Sequence, residues 1–251
     1  MRSFLAAVQF LTLIPVPAGR QANLKDLEKS LPYYPLVGLI IGALLALLDA
    51  GLRHLFPALL TSVMLVIALL LLSGGLHCDG LADTADGFFS SRPREQILAI
   101  MKDSRTGPMG VMAIVCVLIL KIAAFAAVPA PARWWTLLLT PLAAYAALML
   151  NVLILPYARP EGGLGSIFAS QRPIWQVLEA AALPLGIGWF TGRMPGLCAG
   201  LGALLTGLVF AAYTRSKIGG YTGDTLGAVY EIAAVAPALA VTAWSTAGGA
   251  L

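Results

Sequence analysis

The sequence contains very little charge. Only 11% of its 251 residues are Asp, Glu, Lys or Arg, whereas a typical soluble domain has about 25%. Hydrophobic residues, in contrast, make up 59% of the chain. This composition excludes a disordered chain or a coiled coil, and it argues strongly against a soluble globular enzyme. We therefore expect an all-α fold, that of a polytopic helical membrane protein.

Cysteine is also scarce. The three cysteines, Cys78, Cys116 and Cys198, are odd in number and form no C-x-x-C pair, which excludes a disulfide-stapled secreted fold and predicts reduced thiols. The net charge is only +4. In a membrane protein such an excess is typical of basic loops at one membrane face, so we expect no nucleic-acid partner.

Seven apolar segments are long enough to cross a bilayer as helices. Together they predict one integral-membrane domain over residues 1–251 with about seven transmembrane helices. The segments are 33–52, 56–76, 107–128, 133–155, 174–192, 195–214 and 225–247.

An eighth apolar segment, residues 1–17, is shorter than the others. Its polar residues Arg2, Gln9 and Thr12 fall within about 80° of one helical face at 100° per residue. This pattern predicts a short interfacial helix that ends at the two prolines of the segment. A cleaved signal peptide is the alternative, but those prolines and the lack of a small-residue cleavage site argue against it.

The basic residues are distributed unequally between the two sides that seven spans create. One side holds 1–32, 77–106, 156–173 and 215–224 and carries twelve Lys or Arg residues, whereas the other carries three. These three are Arg53, Arg133 and Arg193. The richer side is therefore expected to be cytoplasmic. It also carries most of the polar, glycine-rich sequence, so we expect an active site there.

Three aspartates follow the second predicted span. Asp79, Asp83 and Asp86 have i, i+4 and i+7 spacing and share one narrow stripe of a helix. Their carboxylates repel each other, and a divalent cation is the simplest compensation. Oxygen ligands without paired His or Cys favour Mg²⁺ or Mn²⁺ over zinc. A solvated helix face or a helix cap is the alternative. His77 precedes the stripe as a candidate proton acceptor or a polar boundary residue.

The next polar segment contains Lys102, Asp103 and Arg105. The two basic residues are i, i+3 neighbours, and both side chains suit phosphate. A juxtamembrane basic anchor is the alternative. Asp103 is a candidate addition to the metal ligands.

Two later loops on the same predicted side carry further candidates. Arg159 lies in a glycine-rich loop. A plain connecting loop without a functional role is the alternative interpretation. Thr222 and Asp224 precede the last span, where a helix-capping role is the alternative. Glu231 lies about two turns into that span, and an ionisable residue at such a depth is a functional candidate. For Asp49, Lys121 and Glu179, we expect Asp–Lys or Glu–Lys pairs inside the bundle.

Five motifs in order closely resemble the cobalamin synthase family, the adenosylcobinamide-GDP ribazoletransferases. The two strongest are 77–87, HCDGLADTADG, and 100–107, IMKDSRTG. Further matches are Phe10-Leu11-Thr12 with Ile14-Pro15-Val16-Pro17, 156–162 (PYARPEG) and 222–228 (TGDTLGA), so the resemblance covers essentially the whole chain. Two positions depart from the family, because Leu13 and Tyr145 stand where its members usually carry basic residues.

The resemblance implies the last assembly step of vitamin B12 in the bacterial cytoplasmic (inner) membrane. In that Mg²⁺-dependent reaction the ribose 3′-hydroxyl of α-ribazole, or of its 5′-phosphate, attacks adenosylcobinamide-GDP and releases GMP. The resemblance gives the carboxylates a metal-binding role, the basic residues a phosphate-binding role, and an Asp or His77 a proton-accepting role. The metal ligands would be Asp79, Asp83, Asp86, Asp103 and Asp224, and the phosphate ligands Lys102, Arg105 and Arg159. A homo-oligomer, or association with other B12-assembly enzymes, is compatible with it.

Three alternatives also use acidic residues in a membrane protein. A CDP-alcohol phosphotransferase uses an Asp-rich helix and Mg²⁺, but the Ala-Arg pair expected after Asp79-Gly80 is absent. A prenyltransferase is indicated only by one short D-x-x-D match, Asp83 to Asp86. A cation-coupled transporter would place its key charges in the middle of the bilayer, whereas here they gather at one predicted surface.

Overall fold

The computed structural model describes residues 2–16, 23–169 and 174–250. The described part of the chain is helical, with two short 3₁₀ turns at Leu31–Tyr33 and Leu164–Phe168. The helices are α1 Arg2–Leu11, α2 Leu24–Glu28, α3 Tyr34–Leu52, α4 Ala58–Ser73, α5 Leu76–Phe88, α6 Arg94–Ile100, α7 Pro108–Ala127, α8 Ala130–Ile154, α9 Ile174–Ile218, α10 Gly223–Ala233 and α11 Ala236–Thr246.

Helix α8 forms the centre of the bundle and is buried along nearly its whole length. It packs against α3 on one side and α9 on another. The approach of α3 depends on Gly38 and Gly42, a G-x-x-x-G pair, because a Cβ at Gly38 would lie 2.6 Å from the carbonyl oxygen of Pro141. Small residues at this spacing let two helix backbones approach closely within a membrane.

Helices α4 and α5 meet at an angle of 91°. Gly74 and Gly75 make this turn, with φ values of +61° and +76° that residues with a Cβ rarely adopt. As a result α5 leaves the direction of α4 and runs across the end of the bundle, where it packs against α7 and α10.

Helix α9 is a hairpin rather than one straight rod. Arg193 has non-helical backbone angles, φ 50° and ψ −133°, and the chain reverses there. Gly188 and Gly196 lie in backbone contact across the reversal, and a Cβ at Gly200 would lie 2.8 Å from the carbonyl oxygen of Pro184. In a straight helix, residues 16 positions apart would be roughly 24 Å apart. The predicted spans 174–192 and 195–214 are therefore the two halves of α9.

The multi-pass membrane fold is confirmed, but the count of seven spans is not. Within residues 2–16, 23–169 and 174–250, five helical segments have the length and hydropathy of a span, with the hairpin α9 counted as one. Counting the bent α4–α5 pair gives six. Helix α1 has only 10 residues and covers roughly 15 Å, which is too short to span. Pro17, Arg20 and Arg172, which entered the sequence-based expectations, lie outside the described residues.

Arg133 does not lie in an exposed loop, as the sequence suggested. Arg133 is buried in α8 instead of facing solvent in a loop. Its guanidinium donates hydrogen bonds to Asp49 at 2.7 Å, to Ser62 at 3.0 Å and to the carbonyl oxygen of Phe125. The partner of Asp49 is therefore an arginine and not the expected lysine. The pairing compensates two charges that would be costly inside a bilayer.

Candidate functional site

Helix α5 confirms the predicted stripe of aspartates. Within Leu76–Phe88 only Leu76 and the three aspartates are not buried. The buried residues pack against α7 and α10, and they include Gly80 and Gly87. The accessible face of α5 beyond its first residue is thus formed by the carboxylates of Asp79, Asp83 and Asp86.

The middle carboxylate of the stripe lies in a strongly negative environment. Partial burial, together with the carboxylates of Asp79, Asp224 and Asp86, raises the pKa of Asp83 to about 7. Arg159 acts in the opposite direction. A cluster with this excess of negative charge would be stabilised by a cation.

Asp86 has a structural role at the start of α7. Its carboxylate accepts hydrogen bonds from the backbone N–H groups of Gly107, at 2.6 Å, and Gly110, at 2.8 Å. These groups belong to the first turn of α7, whose orphan donors and positive dipole end favour an anion. Asp86 therefore joins α5 to α7 across 21 residues of chain, which matches the cap-like alternative from the sequence.

Asp224 faces the stripe from the start of α10. A Cβ at Gly80 would lie 2.6 Å from the carbonyl oxygen of Asp224, so the two helices are in backbone contact. The carboxylate accepts hydrogen bonds from Arg159 Nη2 at 2.8 Å and from Thr222 Oγ1 at 3.2 Å. Thr222 is also the N-cap of α10 and forms a capping box with Thr225. The structure thus brings Asp224, Arg159 and Thr222 together.

Backbone hydrogen bonds join the loop that carries Arg159 to the loop just before α10. Tyr221 donates to the carbonyl oxygen of Pro156, and Ala158 donates to that of Tyr221, both at 2.8 Å. Arg94 adds two hydrogen bonds, from Nε to Ile218 O at 2.7 Å and from Nη2 to Ala158 O at 2.8 Å. Sequence reasoning missed Arg94, because its partners are backbone carbonyls 64 and 124 positions away.

A cavity of about 340 Å³ opens beside these residues. Asp79, Arg159 and Asp224 line its polar side. Apolar and glycine residues line the remainder. They are Phe10, Leu11, Tyr34, Leu76, Leu148, Phe168, Leu226 and the glycines at 80, 163, 165, 223 and 227, with Tyr157 and His77 between.

His77 lines this cavity but does not belong to the aspartate stripe. It is 2% exposed, and its ring stacks on Tyr230 with centroids 3.9 Å apart and meets Tyr145 edge-on at 5.5 Å. Neither ring nitrogen has a hydrogen-bond partner among the described residues. The structure therefore places His77 in an aromatic cluster with its polar atoms unsatisfied.

Three candidates from the 100–107 motif do not join the aspartate stripe. Arg105 donates to Asp103 at 2.6 Å in a solvent-exposed pair, and these hydrogen bonds lower the pKa of Asp103 to about 2. Lys102 is exposed. The metal-binding role of Asp103 and the phosphate-binding roles of Lys102 and Arg105 therefore remain predictions.

Glu231 lies deeper in the bundle and pairs with Lys121 at 2.5 Å, with both side chains buried. Lys121 therefore belongs to a buried Glu–Lys pair, but its partner is Glu231 and not Asp49 or Glu179, the partners that the sequence suggested. The pair leaves the charge of Glu231 compensated within the bundle.

The ligand atoms that the site offers are of the kind that a hard cation prefers. The accessible groups are carboxylate oxygens, and Asp83 lies near three further carboxylates that raise its pKa. Within the described part of the chain, no three His, Cys, Asp or Glu side chains converge into a metal-binding group. The carboxylates thus line an anionic surface whose side chains do not form a preassembled metal-binding group among the described residues.

Fold and site together define a multi-pass membrane protein with an acidic site at one end of its helical bundle. A sequence model described as cobalamin-5-phosphate synthase matches residues 3–242. The chain therefore belongs to the cobalamin-5-phosphate synthase family, and it is a transferase of cobalamin biosynthesis.

Individual relatives agree with this assignment. The chain is 40% identical over 232 residues to the adenosylcobinamide-GDP ribazoletransferase of Brevibacillus brevis, covering 92% of this chain and 94% of the relative. It is 41% identical over 246 residues to the enzyme of the same name from Pseudomonas fluorescens, covering 96% and 99%. No solved structure matches the chain.

Proposed function

We propose that the protein joins adenosylcobinamide-GDP to α-ribazole, or to its 5′-phosphate, and releases GMP. The names of its relatives support the two substrate classes. The observation that carries the proposal is that Arg159, Asp79 and Asp224 line the same cavity, because a diphosphate needs cationic and metal-binding groups beside a pocket for its partner.

In the proposed reaction one phosphorus–oxygen bond replaces another. The 3′-hydroxyl oxygen of the acceptor ribose bonds to the phosphorus attached to the corrinoid arm. The bond from that phosphorus to the bridging oxygen of the diphosphate breaks, and the bridging oxygen leaves with GMP. The hydroxyl proton goes to a base, for which a carboxylate of the stripe and the neutral imidazole of His77 are the candidates.

Each group has a separate part in this proposal. Asp79, Asp83 and Asp224 would hold Mg²⁺, which when bound neutralises diphosphate charge and stabilises the leaving phosphate. Arg159, with Nη2 on Asp224 and a buried Nε that has no hydrogen-bond partner among the described residues, can donate to a phosphate oxygen. Asp86 fixes α5 against α7. The site is proposed to face the cytoplasm from the inner membrane.

Purified protein incubated with adenosylcobinamide-GDP, α-ribazole phosphate and Mg²⁺ should release GMP and form the joined corrinoid in equal amounts. EDTA should stop the reaction, and added Mg²⁺ should restore it. Asp83→Asn should abolish turnover while protein yield stays near that of the unmodified chain. Asp26→Asn, the same substitution in α2, is the matched control. Turnover that continues in EDTA, or in Asp83→Asn, would refute the metal-binding role.

A further inference from the structure

Three aromatic rings from three separate elements form one wall of the cavity. Phe10 of α1, Tyr34 of α3 and Phe168 of the second 3₁₀ turn all line it. The centroid distances are 6.4 Å for Phe10–Tyr34, 6.4 Å for Phe10–Phe168 and 5.9 Å for Tyr34–Phe168. We call these three residues the aromatic wall. Tyr34 and Phe168 are almost fully buried and support Phe10, which is only partly buried. Phe10 therefore presents the accessible ring of the wall, and it suits contact with a flat aromatic ligand.

The charged residues of the cavity come from other elements than the aromatic wall. Asp79, Arg159 and Asp224 line the polar side of the cavity, and they come from α5, the loop after α8, and α10. A ligand that fills the cavity should therefore combine an apolar, aromatic portion with a polar portion that carries hydroxyl or phosphate groups.

His77 also borders the cavity. It is 2% exposed, and both ring nitrogens are buried and lack hydrogen-bond partners in the part of the chain that the structure describes. Stacking on Tyr230 fixes the plane of the ring, so the imidazole acts as rigid packing beside the cavity.

We propose that this cavity is the subsite for the acceptor nucleoside. The aromatic base lies against the aromatic wall, and the ribose hydroxyls face the carboxylates of Asp79 and Asp224. This inference rests on the proposed function, which supplies an acceptor of that chemistry. Size supports it, because about 340 Å³ is near the lower end of the roughly 300–1,000 Å³ of small-molecule pockets. The corrin macrocycle is too large for this cavity and must remain outside it.

Steady-state kinetics separates the two substrates. Phe10→Ala and Phe168→Ala should raise the KM for α-ribazole by about tenfold, as expected for loss of a ring contact and its apolar burial. The KM for adenosylcobinamide-GDP should change by less than about twofold, since its corrin ring does not reach the wall. Phe190→Ala is the matched control, because Phe190 lies on α9 with 83% exposure and does not line the cavity.

Direct binding separates this inference from the proposed function. Isothermal titration of the detergent-solubilised protein with α-ribazole alone should show binding that Phe10→Ala weakens and Phe190→Ala leaves unchanged. Binding of this kind without any turnover would support the subsite and contradict the transfer reaction. Turnover with an unchanged KM for α-ribazole in both wall variants would overturn the subsite and leave the reaction standing. If Phe168→Ala does not fold, Phe10→Ala decides alone, because Phe10 is only partly buried.

Discussion

The guanidinium of Arg159 donates a hydrogen bond to Asp224 at 2.8 Å, and this contact joins the loop after α8 to the start of α10, 65 residues further along the chain. The side chains are 14% and 25% exposed, so the pair is partly shielded from water and its electrostatic coupling is stronger than that of a surface pair. The positive charge of the same arginine also acts to lower the pKa of Asp83. Arg159 thus contacts Asp224 directly and acts on Asp83 through its charge.

Arg159 and Asp224 should act as a unit. Arg159→Ala should lower kcat/KM for adenosylcobinamide-GDP by about 10- to 100-fold, as expected for loss of a charge-assisted hydrogen bond. The double variant with Asp224→Asn should lose less than the product of the two single effects. Kinetic double-mutant cycles measure this coupling, and strict multiplication of the two effects would contradict it.

The close approach of α5 to α10 should not tolerate a methyl group. Gly80→Ala places a Cβ 2.6 Å from the carbonyl oxygen of Asp224, and relieving the overlap should cost about 1–3 kcal/mol. Because the shift moves Asp224 relative to the stripe, activity should fall together with stability. Gly51→Ala is the control, since no atom lies within 4 Å of its added Cβ. Thermal unfolding and turnover measured on both variants check this expectation.

The buried Lys121–Glu231 pair should be needed as a pair. Lys121→Ala leaves the carboxylate of Glu231 uncompensated and should cost about 3–5 kcal/mol of stability. Replacing both residues with apolar ones, Lys121→Met with Glu231→Leu, should recover most of that loss. Thermal unfolding in detergent compares the three proteins. If the double variant is less stable than Lys121→Ala, this expectation is wrong. The two charged side chains would then stabilise the fold by more than cancelling each other's charge.

Arg94 should affect the reaction without touching a substrate. Its hydrogen bonds to the carbonyls of Ala158 and Ile218 hold the loop that carries Arg159 and the end of α9, from which the chain leads to Asp224. Arg94→Ala should therefore lower kcat/KM by roughly tenfold, whereas Arg94→Lys, which can restore one hydrogen bond, should lose less. The exposed neighbour Arg92, changed to Ala, is the matched control. Equal loss in the Arg92 and Arg94 variants would show a general charge effect instead.

Features that depend on local periodicity could be predicted. The aspartate stripe follows from i, i+4, i+7 spacing, and the structure confirms that these residues form the accessible face of α5. Features that depend on contacts distant in sequence could not. The hydrogen bonds of Asp86 to α7, the burial of Arg133 against Asp49, and the hydrogen bonds of Arg94 all join residues that no local pattern connects.

By itself the sequence determined the membrane environment, the positions of most helices and the acidic stripe, because hydropathy and helical periodicity act over a few turns of chain. Only the tertiary structure decided which charges neutralise one another, where α5 turns at Gly74 and Gly75, and which loops enclose the cavity. These outcomes depend on the close packing of whole helices. A glycine or an arginine acquires its role there from a partner that folding brings within a few ångströms.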